Sequence, residues 1–388
     1  MARKRVIYQS EALFVSNTGN NSAAVQLHRI QSANYSFDIA RTDVNEFGQL
    51  ARIDSLIIEQ PTVSLDFTYY PFSGQQEKLI GFNIGHGQSC VSSILSGKGD
   101  SLNYYIGTTT EGSDFNAGAA SDWKSVIGLG NMSLTSYSVD GSVGDFVSAS
   151  VSAEGLNLVV DSSGHLGVVR NPAVSIVDGA SLGGNVTLPS GAANLTAVTN
   201  VATALQPKDV SLDLLINGQI GSAVIGMDVT DLKVQSFSVG VDLGRTPLEK
   251  LGSRFAFSRE IDFPVTATMD FSAAVGEMRG NLDDPQRLAS IEDQFVNPDG
   301  QNDSNTHSIA VCVKESAAYG MRWLLKGCKL DSQSWSSSIG DNKSVDMSFS
   351  TQIGGPQDTN HGLVIQKMTG ACNAAGTNAA AVEAGAYS

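Results

Sequence analysis

The groups in this chain able to do covalent or metal chemistry are few and widely spread. The five histidines are His28, His86, His165, His307 and His361, and none stands at a metal-ligand spacing from a cysteine or carboxylate. The four cysteines, Cys90, Cys312, Cys328 and Cys372, make no CxxC pair. They read as reduced thiols of an intracellular product, with Cys312 and Cys328 able to approach across a hairpin. Asp283 and Asp284 adjoin as an acid/base pair could, but Pro285 follows them, which makes a helix N-terminus the better reading. There is no GxSxG elbow, P-loop or dinucleotide-binding glycine pattern, and Gly97-Lys98-Gly99 reads as a turn. No catalytic set, metal or cofactor is expected, and the chain is not read as an enzyme.

Composition points the same way. The chain has 388 residues, 16% of them charged, and a formal net charge of -15. A protein that grips nucleic acid needs clustered Lys and Arg, so that class is disfavoured, although a surface that DNA must pass without sticking is not. Arg3-Lys4-Arg5 is followed by a polar, alternating stretch, so no secretory leader is expected. No apolar run approaches the length of a membrane helix, and membrane insertion is not expected.

The elements that would position any site come in duplicate. Residues 25–67 align with 229–271 at a constant offset of 204, without gaps and with eleven of 43 positions identical. The identities include Asp38/Asp242, Arg41/Arg245, Thr42/Thr246, Gly48/Gly252, Asp66/Asp270 and Phe67/Phe271, and Phe47/Leu251 is conservative. Residues 134–152 then match 330–348 at an offset of 196, with eight of 19 identical, including Gly144-Asp145 against Gly340-Asp341. Two collinear matches indicate tandem duplication.

Each copy predicts the same order of parts. A hairpin-like start (6–27; 210–232, turning at Asn217-Gly218) leads through a strand to a polar loop around Arg41-Thr42 or Arg245-Thr246. A long strand region follows, 52–70 and 255–273, in which Leu65, Phe67 and Tyr69 alternate with Ser64, Asp66 and Thr68. A helix is expected next. Ser73 would cap 75–82 in the first copy, and Asp283-Asp284-Pro285 would start one carrying Leu288, Ile291 and Phe295 in the second. Closing strands carry an aromatic residue between serines at Tyr137 and Trp335, as does the strand at Phe237. A hairpin over 156–169, turning at Ser163-Gly164, begins the segment between the copies. The expected fold is mainly β: two tandem β-sandwich or barrel domains, each with one short helix, at 1–155 and 208–355. A Gly/Ala/Ser/Thr-rich connector spans 156–207 and a C-terminal arm 356–388.

The run 31–70, with its polar loop, Arg52-Ile53-Asp54 and the strand ending Leu65-Asp66-Phe67-Thr68, resembles the major tail tube proteins of tailed bacteriophages. The copy at 235–271 resembles them too, as does the order of parts in both halves. That resemblance implies sandwiches that assemble into six-fold rings, stacked as a hollow DNA-conducting tube. With two domains per chain, it implies homotrimeric rings of pseudo-hexameric symmetry. The implied partners are further copies of the chain and other tail proteins such as tape measure, baseplate or sheath. DNA would pass during ejection without specific binding. The implied location is the virion tail, after assembly in the host cytoplasm.

Within that family picture Asp66 and Asp270, at equivalent places on polar strand faces, are the candidate lumen-facing residues. Arg41, Thr42, Arg245 and Thr246 are the candidate inter-subunit or inter-ring loop residues. A trimeric baseplate hub or tail-tip ring is the nearest rival. A carbohydrate-binding adhesin would instead need Trp123, Trp323 and Trp335 exposed on one platform.

Overall fold

The structure is a computed structural model. It describes the chain except for residues 1–10, 19–22, 86, 110–122 apart from Phe115, 163–166, 177–178, 190–209 apart from Leu205, 217–218, 221–231, 252–257 apart from Ala256, 276–306, 315–319, 341, 369–378 and 381–388. The second helix expected, at 283–295, therefore lies outside the described residues, as do His86, His165 and Cys372.

Alternation of apolar and polar residues dictates strands, and strands dominate. The first half runs β1 (Glu11–Asn17), β2 (Val25–Leu27), β3 (Ile30–Asp38), β4 (Arg41–Val44), β5 (Asp54–Ile57) and β6 (Thr62–Tyr69). It continues through α1 (Gln75–Leu79), α2 (Ser92–Leu95), β7 (Leu102–Thr109), β8 (Trp123–Ser142), β9 (Ser148–Gly155) and β10 (Asn157–Ser162). A small ladder, β11 (Val168–Arg170) with β12 (Asn185–Thr187), follows. The second half has β13 (Val210–Ile216), β14 (Gln219–Ile220), β15 (Leu232–Asp242), β16 (Arg245–Leu248), β17 (Ser258–Ile261) and β18 (Thr266–Val275). It closes with β19 (His307–Lys314), β20 (Gly320–Ser336), β21 (Ser344–Gln352) and β22 (Gly362–Met368).

The duplication shows in the pairing registers. β3 meets β6 with Ala33 opposite Phe67, and β15 meets β18 with Phe237 opposite Phe271. Both ladders shift at the same place, between Ile30 and Ser32 and between Val234 and Ser236. Arg41 faces Ile57 in one hairpin and Arg245 faces Ile261 in the other. Asp66 pairs with Ser152, and Asp270 with Ser348.

Two layers result. One is a single antiparallel sheet in the order β3-β6-β9-β8-β15-β18-β21-β20, running through both halves. The other layer is β2-β1-β7-β8-β10 in the first half and β14-β13-β19-β20-β22 in the second. The long strands β8 and β20 belong to both layers, turning the corner as strands do in sandwiches. Each turns at a left-handed residue in equivalent places, Asn131 (φ 55) and Gly327 (φ 64). Asn is among the few side chains tolerated there, and its amide is held by both backbone polar groups of Val174.

Several expectations change on inspection. The polar loop is a projecting hairpin, β4-β5, and the long strand region 52–70 is two strands. Pro61 lies in the gap between β5 and β6, where its missing N–H suits a break. Ser73 is not a helix cap; Gly74, left-handed at φ 74, occupies that position without a side-chain bond. The 156–169 segment is not a self-paired hairpin, since β10 pairs with β8 and β11 with β12. Residues 157–162 and 362–368, read as connector and arm, each supply a strand to the second layer. Cys312 is disulfide-bonded, contrary to four reduced thiols, and its ladder partners are Ser211 and Arg322, not Cys328. Cys90 and Cys328 are buried thiols outside any disulfide, and burial pushes both up to about 12.

One apolar core lies between the layers and crosses from half to half without a break, with Phe82, Tyr137, Val139, Phe237, Val239 and Trp323 among its members. It encloses a carboxyl. Glu77 on α1 is fully buried and accepts a hydrogen bond from Tyr69 Oη at 2.9 Å through Oε1. Burial raises its pKa to about 7. A carboxyl with a raised folded-state pKa gives its full stability below the unfolded value near 4.5 and loses it as pH rises to about 7. The loss is on the order of 3 kcal/mol. Glu77→Gln keeps an acceptor for Tyr69 and removes the buried charge. Denaturant unfolding is expected to show the variant at least about 1 kcal/mol more stable than the parent at pH 8, with the difference shrinking towards zero as pH falls below about 4. A parent whose stability stays flat from pH 5 to 8 contradicts this.

Candidate functional site

Pairing fixes which side chains share a face of the continuous sheet. One row reads Asn34, Asp66, Ser152, Ser136. Another crosses between the halves as Ser148, Asp140, Ser238, Asp270, Ser348, Ser332. The reverse side of the adjacent row is Phe67, Val151, Tyr137, Val241 and Ala267, all buried. One face is thus core, and the other is hydroxyl and carboxylate.

Among the described residues, seven exposed carboxylates stand on that polar face: Asp38, Asp66, Asp140, Glu154, Asp242, Asp270 and Asp346. Lys329, opposite Ser350, is a cation at its margin. The face is concave where the halves meet, with a cavity of about 880 Å³ lined by Asp140, Ser148, Ser238, Asp270, Ser334 and Asp346 among others. Asp66 and Asp270 are both exposed on this face, and Asp270 lies within the cavity wall. No group of three or more His, Cys, Asp or Glu among the described residues could hold a metal ion. No helix among them is long and apolar enough to cross a membrane.

The halves join strand to strand. Residues 136–142 of β8 pair with 236–242 of β15, which buries Phe237, Val239 and Val241 to 4%, 0% and 3% exposure. Gly141 is required here, because a Cβ would lie 2.5 Å from the Phe237 ring. Arg245 locks this seam. Its side chain is 3% exposed, Nη2 lies 2.6 Å from Asp100 Oδ1, and Nε donates to the Leu134 carbonyl at 3.1 Å. Arg41, its repeat equivalent, is exposed on β4 and has no side-chain partner among the described residues. Thr42, opposite Leu56, is exposed, and Thr246 Oγ1 donates to the Asp262 carboxylate at 2.8 Å.

The outer strands of the sheet lack neighbours among the described residues. β3 pairs with β6 alone, and residues 330–336 of β20 with β21 alone. On β3, Tyr35 and Phe37 are 42% and 61% exposed, whereas their equivalents Val239 and Val241 are buried.

Sequence reasoning missed the projecting apolar tips. Phe47 and Leu251, at equivalent places in the two hairpins, are completely exposed, with Leu50, Ile53 and Ile58 exposed nearby. These hairpins lie beyond the Asp38/Thr62 end of the sheet. At the other end, beside Tyr69 and Ala149, the β8-β9 turn exposes Val143 and the β20-β21 turn exposes its equivalent Ile339. The available signal was the repetition of an apolar residue at 47 and 251 within otherwise polar sequence.

No family model and no curated relative matches the chain. Among solved structures, a chain of the anti-feeding prophage baseplate aligns with a TM-score of 0.27 and 11% identity, over 41% of this chain and 97% of that one. A chain of the virion of a native gene transfer agent particle aligns with a TM-score of 0.24 and 11% identity, over 42% and 98%.

Proposed function

We propose that this chain is a structural subunit of a bacteriophage tail, the major tube protein, acting as a homotrimer whose rings stack into the DNA-conducting channel. The observation that carries this reading is the continuous sheet with one carboxylate-and-hydroxyl face and two edges that have no neighbour among the described residues. An exposed sheet edge is an assembly template unless something blunts it, and ring closure satisfies both edges at once. With two equivalent units per chain, three chains give six units around the axis. The carboxylate face then becomes the inner wall. At 0.1 M salt its charges act over about 10 Å, enough to keep DNA phosphates from settling on the wall without halting their passage. Asp66 and Asp270 together contribute six carboxylates to one ring. The hairpins at one end of the sheet and the turns at the other face neighbouring rings, tape measure or baseplate.

The adhesin reading loses its platform, because Trp123 and Trp323 are 3% and 0% exposed. Electron microscopy of the purified protein tests the proposal. Stacked rings with a central hole are the expected result. Single rings that never stack would mark a hub or tail-tip ring, and dispersed monomers would contradict both.

A further inference from the structure

We infer that β20 of one copy pairs antiparallel with β3 of a second copy, in the register that β8 and β15 already make within a single chain. This rests on the ring-forming reading above and adds to it a defined interface. The duplication maps residues 136–142 of β8 onto 332–338, and 236–242 of β15 onto 32–38. The first two segments are joined as a seam of seven residue pairs, whereas their counterparts are the open edges of the same sheet. Transferring the seam places Asn34 opposite Ser336, Tyr35 opposite Trp335 and Phe37 opposite Gln333 of the neighbouring copy.

The chemistry of the transferred pairs is consistent. Where the internal seam sets Phe237 against Gly141, the transferred seam sets Ala33 against Ser337, so no ring meets a Cβ. Val239 against Val139 becomes an aromatic pair, Tyr35 with Trp335, a favourable cross-strand combination. No transferred pair sets like charges together; Asp38 faces Ser332. The half-exposed faces of Tyr35 and Phe37 gain the cover that Val239 and Val241 already have.

Arg41 carries an independent sign of the same interface. Arg245 crosses the internal seam to the Leu134 carbonyl, and the repeat equivalents of these two residues are Arg41 and Leu330. The guanidinium of Arg41 therefore reaches the Leu330 carbonyl of the neighbouring copy. Docking is head to tail, so it propagates until the ring closes.

Cysteine cross-linking of the full chain tests the register. Facing residues on adjacent antiparallel strands stand about 4.5–5.5 Å apart between Cα atoms, within disulfide range. Asn34→Cys with Ser336→Cys is expected to convert most of the oxidised protein into covalent oligomers on non-reducing gels. Either single variant should stay at the background of the parent. Asn34→Cys with Ser332→Cys, displaced by roughly 13 Å along the strand, should do the same. Rings in the microscope with no links, or with links only in the displaced pair, would overturn the interface and leave the ring reading standing. A chain that forms no rings at any concentration would overturn both. Arg41→Ala is expected to raise the concentration for half-assembly about tenfold without changing the melting temperature of the unassembled chain. Arg245→Ala should lower that melting temperature. Equal effects of the two variants on the unassembled chain would remove Arg41 from the interface.

Discussion

Phe37→Asp is expected to abolish ring formation while the isolated chain stays folded. Phe37 is 61% exposed in the single chain, so a carboxylate there meets water and costs little. In a closed ring the same position is covered by the neighbouring copy. Covering the part of Phe37 still exposed is worth about 1–2 kcal/mol, and desolvating a carboxylate in its place costs more. The two effects together weaken each contact by at least roughly a hundredfold, so ultracentrifugation should show monomers where the parent is assembled. The repeat equivalent supplies the contrast. Val241 is 3% exposed at the internal seam, and Val241→Asp is expected to cost about 3–5 kcal/mol of folding stability. Should Phe37→Asp assemble like the parent, the β3 edge is not where copies meet.

The second large effect concerns stacking. Changing Phe47 and Leu251 together to Asp should leave rings intact and prevent tubes. Both side chains are fully exposed at the tips of β4-β5 and β16-β17, well away from the β3 and β20 edges. Monomers seldom display large apolar side chains at equivalent projecting places in two repeats, unless something covers them. Three chains would present six such tips to the Val143 and Ile339 turns of the next ring, so small losses per contact multiply. Tubes of normal length from the double variant would move the stacking contact elsewhere.

Much of this arrangement was legible in the sequence because strand alternation and duplication are both local patterns. The offset of 204 between residues 25–67 and 229–271 reappears as matched ladders, down to the shifts beside Ser32 and Ser236. Asp66 and Asp270 were placed on polar strand faces by alternation alone, and both are exposed there. What stayed hidden depends on contacts distant in sequence. Alternation at residues 123–142 cannot say that one strand serves two layers, because the corner at Asn131 is a backbone event. Ile53, Leu56 and Ile57 fall in the region read as one long strand, yet they are about half exposed on a hairpin that projects from the sheet. Glu77, on a helix of five residues, gave no sign of burial, since only the packed layers decide it. Cys312 shows the same limit, because sequence spacing does not determine which thiols approach one another.

The central claim is that the Asp66/Asp270 face of the sheet becomes the inner wall of a closed ring. A cryo-electron microscopy reconstruction of the purified assembly tests it most directly. The account predicts a channel lined by β3, β6, β8, β9, β15, β18, β20 and β21, with both aspartates pointing to the axis. A ring in which that face points outward, with the α1 side toward the hole, would contradict it.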